Sequence, residues 1–373
     1  MIPTQYSEIL ELVESIDPVK YGKTRNFLDG AVTKLSPYIS RGVISTKQVA
    51  KSVLKRGYHP TEIETFLKEL AWRDYFQQVW IELGSKIDND VKQAQTKVSH
   101  YEIPENVLQA QTGIQAIDDG ITRLYETGYM HNHVRMYVAG VACNVGRSHW
   151  RKPAQWMYYH LLDADWASNA LSWQWVAGSF SSKKYYANQE NINRYCFSAQ
   201  QGTFLDVPYE AFEAADIPKE LSKTTDFSFK TELPTFKASI TDNDLPVYIY
   251  DFYNLDCNWD LHLNANRVLL LEPAFFEQYP VSSKAIDFIL ELSKNIDQIQ
   301  VIVGDFDEVF KSIPPHQIHF KEHPTHAHYK GIQHSRDWMF DSVKGYYPSF
   351  FAYWKKCEKQ LYLLTEEDTE KQL

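Results

Sequence analysis

Four stretches of this sequence place charged and hydrogen-bonding side chains where the neighbouring residues are apolar. The last is the most telling: Asp163-Ala164-Asp165 is followed by Asn169 and then by Trp173 and Trp175. Two carboxylates flanking an alanine, one turn before an amide and two indoles, are costly in an apolar setting unless they bind something polar. In the third stretch Asn132, Arg135 and Met136 stand at i, i+3 and i+4 and so share a helix face. A guanidinium buried there needs an anion, and a pyrophosphate would serve. The second sets Trp72 beside Arg73 on an otherwise apolar helix, with Glu69 one turn before Arg73. In the first, Thr33 and Ser36 flank a turn made by Pro37 and offer hydroxyl and backbone donors to an anion.

Each stretch taken alone has a plainer explanation. Thr33 to Ser36 is also a capped helix start. The Glu69/Arg73 spacing is that of a surface ion pair. Asp163 or Asp165 is a natural N-cap. What the four share is a set of donors for phosphate and acceptors for sugar hydroxyls or an aromatic amine, with flat rings beside both.

The elements that must carry these groups are helices. From Ile9 to about Tyr195 apolar residues recur at spacings of three and four with breaks at Pro or Gly, which predicts a helical domain over 1–200. One helix covers 66–80, another starts near Tyr129, and a third runs near QWMYYHLL into the Asp163 stretch. Residues 201–244 lack a clear period and read as a linker. Beyond it, 246–251, 267–272, 299–305 and 317–322 are short apolar runs, with a helical KAIDFILELSKN between the second and third. That alternation predicts a small α/β domain over 245–335 with a short parallel sheet. A helical segment and an acidic tail complete the chain over 336–373.

Length and composition bound the rest. The chain has 373 residues, with 44% apolar and 23% charged, which is the profile of a folded protein of about two domains. Ten Trp, 24 Tyr and 20 Phe exceed what core packing needs and point to stacking surfaces or a redox role. Cys143, Cys196, Cys257 and Cys357 form no C-x-x-C pair, so no disulfide framework or cysteine-bound metal is suggested. Nothing resembles a signal peptide or membrane span, and a cytoplasmic location is expected. The net charge of -10 is uneven: residues 1–200 hold 22 Lys and Arg against 20 Asp and Glu, whereas 201–373 hold 16 against 28. A polyanion can therefore still dock on the first half. Six histidines, His316, His319, His323, His326, His328 and His334, cluster late in the chain without a cysteine. They read as a solvated loop of neutral imidazoles, and no metal site is assigned.

The ordered set Y-x-x-x-R, LSPY, ELAWRDY, GYMHNHVRM and DADWASN-WQW resembles the flavin-binding helical domain of the DNA photolyase/cryptochrome family, over roughly residues 20–195. The resemblance implies that Tyr21, Thr33 and Ser36 contact the phosphates of FAD, with Lys34 and Leu35 in the same loop. Arg73 and Arg135 would neutralise the pyrophosphate. Asp163 and Asp165 would hold the ribityl and adenine parts, and Asn169 would face flavin N5. Glu69, Trp72 and Asn132 would border both the cofactor and a cavity for a flipped-out pyrimidine dimer, which Arg25, His133, Met136 and Trp175 complete. Trp72 and Trp175 would sandwich the lesion.

By the same resemblance Trp173 and Trp150 begin the tryptophan chain that reduces the flavin in light. Its third member is missing: the position falls near Lys97, with Tyr101 close by as a substitute. For Trp80, Trp156 and Trp166 core packing is the expectation. The implied activity is light-dependent repair of cyclobutane pyrimidine dimers in DNA, by electron transfer from reduced FAD. Asn132 and Met136 stand where the class acting on the other major ultraviolet photoproduct has histidines, which favours the cyclobutane lesion. The alternative is a cryptochrome-like blue-light receptor that binds FAD and signals to a protein partner without repair. The antenna pigment is not read from the sequence.

Four features depart from the family pattern. His133 stands for an arginine, Val32 for a threonine, and the segment after Trp175 is unusual, although Lys183 and Lys184 there offer phosphate contacts. Family members also carry an α/β antenna domain ahead of the helical one, whereas here the α/β segment follows it.

Overall fold

The structure is a computed structural model that describes residues 2–236, 240, 242 and 244–365. Its helical part is built around the helix Glu64–Leu83. This helix buries Phe66, Leu67, Leu70, Ala71, Tyr75, Phe76, Val79 and Trp80, and with them the polar Asp74, Gln77 and Gln78, so it runs through the middle of the domain. Helices Pro18–Thr24, Thr46–Lys55, Trp166–Ala177 and Phe350–Cys357 pack around it.

Local chemistry sets where these helices begin. The Asp17 carboxylate accepts from Lys20 N at 2.8 Å and Pro18 occupies the first turn. Ser45 Oγ accepts from Gln48 N at 2.9 Å. Trp80, Trp156 and Trp166 lie in the core. After the helices, Thr224–Thr225 pairs antiparallel with Ile103–Pro104, so part of the 201–244 stretch lies along the helical part.

Among the described residues the α/β part contains five parallel strands: β1 (Val247–Tyr250), β2 (Asn266–Leu271), β3 (Gln300–Val303), β4 (Ile318–Lys321) and β5 (Ile332–His334). The first four lie on the expected apolar runs, and β5 is additional. The sheet order is β3-β2-β1-β4-β5. Every residue of β1 and β2 is buried, as the inner strands of a doubly covered parallel sheet must be. Because the order reverses between β1 and β4, their carboxyl ends diverge and leave a crevice there. No helix among the described residues is long and apolar enough to cross a membrane.

The two parts share a tight seam. Trp80 meets Tyr253, Tyr279 and His323 edge-on at 5.9, 5.8 and 5.0 Å. Arg336 Nη1 donates to Gln77 Oε1 at 2.7 Å, and Met339 N donates to Asp74 Oδ2 at 2.9 Å. The Arg41 carbonyl accepts from Leu255 N at 2.8 Å.

The histidine cluster differs from the solvated loop expected. His319 and His334 belong to β4 and β5, with His319 Nδ1 and His334 Nε2 at hydrogen-bond distance, 2.9 Å, while His323 and His326 are buried at the crevice. The rings of His319, His323 and His326 stack on Tyr248, Tyr253 and Tyr329 as aromatic residues do. The acidic tail beyond Thr365 lies outside the described residues.

Trp80 joins the two parts through three ring contacts. Trp80→Ala should destabilise the protein by about 3–5 kcal/mol through the cavity it leaves. Urea unfolding checks this, and a loss below about 1 kcal/mol would mean that the seam does not depend on Trp80.

Candidate functional site

The Asp163–Asp165 turn is the centre of the site. Asp165 is the N-cap of the Trp166–Ala177 helix, accepting from Ser168 N at 3.0 Å. It has two more donors: Arg73 Nη1 reaches Oδ2 at 2.8 Å, and Gln77 Nε2 reaches Oδ1 at 2.8 Å. The cap and the ion pair are therefore the same residue. Asp163 takes a two-pronged bond from Arg135, with both nitrogen–oxygen distances 3.0 Å. Burial would raise the Asp163 carboxyl, but Arg135, with Arg73 and Arg41 nearby, brings it below the usual carboxylate range.

Arg73 and Arg135 each keep part of their side chain accessible, 16% and 21%, while their carboxylates are buried. The guanidinium groups thus form the accessible wall of the site and the carboxylates its backing. Asn169 is buried on the same helix, and its amide nitrogen donates to Ala154 O at 2.8 Å. Trp173 is buried one turn further on.

Tyr21 lies edge-on to Phe66, on the Glu64–Leu83 helix, at 5.3 Å. Burial, then Glu69, pushes its phenol well above the ordinary range although part of the residue remains accessible. That combination describes a group at the wall of a recess. In the loop ahead, Lys34 is exposed and holds a left-handed backbone with φ of 56°, Thr33 Oγ1 accepts from Leu35 N at 3.3 Å, Leu35 is buried, and Ser36 opens a short helix. A non-glycine residue in this conformation is strained, as at ligand clamps. Cationic and hydroxyl donors beside carboxylate acceptors are the groups that FAD requires. By the chemistry of their side chains, Thr33, Lys34, Ser36, Arg73 and Arg135 would hold its phosphates, and Asp163, Asp165 and Asn169 its polar rings and hydroxyls.

The residues expected around a lesion are partly gathered. Arg25 Nη2 pairs with Glu69 Oε1 at 3.0 Å, and both are about 29% accessible or slightly less. Burial raises the Glu69 carboxyl above its usual range, with Arg25 opposing. Asn132 is exposed and Met136 half-buried. Trp72 has one face covered by Phe350, whose ring stacks at 3.9 Å and 10°. Trp175 is 39% exposed at the far side, 6.1 Å from Tyr185. Beside it Lys183, Lys184, Tyr185, Tyr186, Tyr209 and Glu213 line a groove of about 600 Å³.

His133 points inward, with its ring 4.8 Å from both Tyr137 and Tyr195. Burial, with His131 and Arg25 nearby, lowers its pKa to about 4. It is therefore neutral where an arginine would be charged.

Sequence reasoning missed three residues. Gln77, one turn after Arg73, links Asp165 to Arg336. Arg41 is fully buried between Asp163, Asp165 and the Phe252 ring, whose centroid lies 3.6 Å from the guanidinium carbon. It stands in the apolar run SPYISRGVIS, so the argument that singled out Arg135 applied to it as well. Arg336 is reachable only through the fold. Near these residues, at the β1/β4 crevice, a cleft of about 710 Å³ is lined by Ser45, Lys47, Arg73, Asp165, Asp251 and Arg336. Buried polar atoms of Arg41, Asp251, Asn254, His323 and Arg336 there have no hydrogen-bond partner.

Two expectations follow. Asp163→Ala leaves Arg135 facing no anion and should destabilise the protein by roughly 3–5 kcal/mol, read from denaturant unfolding, with an unchanged midpoint arguing against the pair. For pH, His133 and His160, both lowered to about 4, bind protons in the unfolded chain from about 6.5 downward but not in the fold. They remove stability as pH falls from 6.5 to 4. Asp74, buried and raised to about 6, acts in the opposite sense. Replacing His133 and His160 by Phe should therefore flatten the acid side of the stability curve, and an unaltered curve would show that they do not titrate across folding.

Residues 66–207 match the family described as the FAD binding domain of DNA photolyase. A deoxyribodipyrimidine photo-lyase of Agrobacterium fabrum is 37% identical over 154 residues, covering 40% of this chain and 32% of that protein. The cryptochrome DASH of Ostreococcus tauri is 34% identical over 179 residues, covering 45% of this chain and 32% of that protein. A Synechocystis cryptochrome structure aligns with a TM-score of 0.47 at 26% identity, over 51% of this chain and 43% of that one. The chain spans about a third of the length of the curated relatives it matches. The match spans the Glu64–Leu83 helix, which carries Arg73, and the Trp166–Ala177 helix with the Asp163–Asp165 turn that leads into it, so this helical segment is similar to the FAD binding domain of DNA photolyase.

Proposed function

We propose that this protein holds FAD in the recess between Tyr21, Arg73, Arg135 and the Asp163–Asp165 turn, and uses blue light to split cyclobutane pyrimidine dimers in DNA. The observation that carries the reading is the pair of arginines backed by buried carboxylates, Arg73 on Asp165 and Arg135 on Asp163. Such a lattice keeps two cations fixed and partly accessible, as a pyrophosphate site needs.

FAD, when bound and reduced, supplies the light-absorbing electron donor. The chain's own residues do the rest. Asn169, tied to Ala154 O, is fixed in orientation beside the recess. Glu69, whose carboxyl burial keeps above its usual range, would hydrogen-bond the edge of a damaged base. Trp72 and Trp175 offer ring faces, and the Lys183–Tyr186 groove takes the neighbouring backbone and bases. Trp173 and Trp150 supply electrons from the protein side.

Among the relatives are both photo-lyases and cryptochromes, and one arrangement here favours the second reading, a light receptor without repair. His133 is neutral and turned inward, and Phe350 already covers one face of Trp72.

The deciding experiment reduces the purified protein, adds dimer-containing single-stranded DNA, and compares dimer loss in blue light and darkness. Repair predicts loss in light only. A flavin-loaded protein that leaves dimers intact would establish the receptor reading instead. Two variants test the site: Asp165→Ala should lower FAD occupancy, whereas Trp173→Phe should keep flavin bound and slow its photoreduction. Full FAD content in Asp165→Ala would remove that carboxylate from the cofactor site.

A further inference from the structure

The electron-supplying residues proposed above end in the interior. Trp173 is buried and Trp150 completely so. An indole that has given up an electron there has to be refilled from outside, and electron tunnelling falls steeply with distance. A route of closely spaced rings to the surface is therefore required.

Around Trp150 one run of rings leads outward. The His149 ring lies 5.7 Å from Trp150, centroid to centroid, at 36°. Tyr101 stacks on His149 at 5.1 Å and 28°. Tyr101 is 72% exposed, too open for a packing role. The backbone holds the run in place, since His149 N donates to His100 O at 2.8 Å and Ser99 N to Arg147 O at 2.9 Å. Arg147 has a left-handed φ of 56°, which turns the chain so that His149 lies against Tyr101.

Asp90 adds a second, independent observation. Its Oδ1 accepts the Trp150 indole N–H at 2.7 Å and lies 3.4 Å from His149 Nε2. An oxidised indole becomes a strong acid at that N–H, so a carboxylate at hydrogen-bond distance can hold the proton while the electron is missing. Burial lowers the His149 imidazole below its ordinary range, with Asp90 opposing, which favours a neutral ring between the two aromatic residues.

Resting on the electron-supply reading of Trp173 and Trp150, we propose that electrons enter through Tyr101 and cross the His149 ring to Trp150, with Asp90 holding the indole proton. The step balances. Trp150, having given one electron to Trp173, passes its indole proton to Asp90. Tyr101 then gives one electron to Trp150 and its phenolic proton to water, and Asp90 returns the indole proton. A neutral tyrosyl radical remains at the surface, where an added thiol reduces it by hydrogen-atom donation.

The test uses the flavin-loaded, full-length protein under blue light, followed by transient absorption and electron paramagnetic resonance, with photoreduction by added thiol measured in parallel. The wild type should show a tyrosyl signal that outlasts the indole signal. Tyr101→Phe should lose the tyrosyl signal and shorten the indole radical's life at unchanged FAD content, because Tyr101 lies outside the cofactor recess. His149→Ala should do the same with the tyrosine still present. Asp90→Asn should turn the neutral indole radical into its protonated form, a spectral change that a merely structural role would not produce. If Trp173→Phe stops photoreduction while Tyr101→Phe changes neither signal nor rate, Tyr101 is not the entry point and the proposal falls. If Trp173→Phe also leaves photoreduction intact, the electron-supply reading fails first.

Discussion

Asp163 and Asp165 leave water two residues apart, at the start of one helix, and each is met by an arginine from a different helix. Withdrawing one partner of such a pair leaves a buried charge, at a penalty of roughly 3–5 kcal/mol, so helices Glu64–Leu83, Asn132–Gly140 and Trp166–Ala177 are held in one arrangement. The same constraint fixes where the two guanidinium groups point. Stability and binding are thus served by one set of bonds: the carboxylates face inward to the fold, and the arginines face the recess.

From Asp165 the network continues into the α/β part. Gln77 bonds Asp165 with its amide nitrogen and receives Arg336 on its oxygen. Arg41 lies under the Asp163–Asp165 turn and against Phe252. The recess is thus joined by a short chain of hydrogen bonds to the crevice of the β1/β4 reversal, where several polar atoms lack partners. Such crevices are the usual ligand positions of doubly wound sheets.

Much of this was legible in the sequence because the signals were local. Asp163, Asp165, Asn169, Trp173 and Trp175 lie on one helix and its cap, so spacing alone displayed them as a group. The four strands announced themselves as apolar runs. Residues that act through tertiary contact were not legible. Gln77 is an unremarkable polar residue until Arg336, 259 positions later, is brought against it. Phe350 looked like part of a terminal helix, and only the fold lays it on Trp72. The strand β5 and the burial of His323 and His326 were hidden because histidine reads as polar by composition and packs as a flat ring.

The central claim is that Arg73 and Arg135, braced by Asp165 and Asp163, enclose FAD. Its most direct measurement is the absorption spectrum and flavin content of the purified protein, before and after incubation with excess FAD and desalting. The account predicts a yellow protein that retains one FAD per chain. A protein that stays colourless after that treatment, while still folded by circular dichroism, would contradict it.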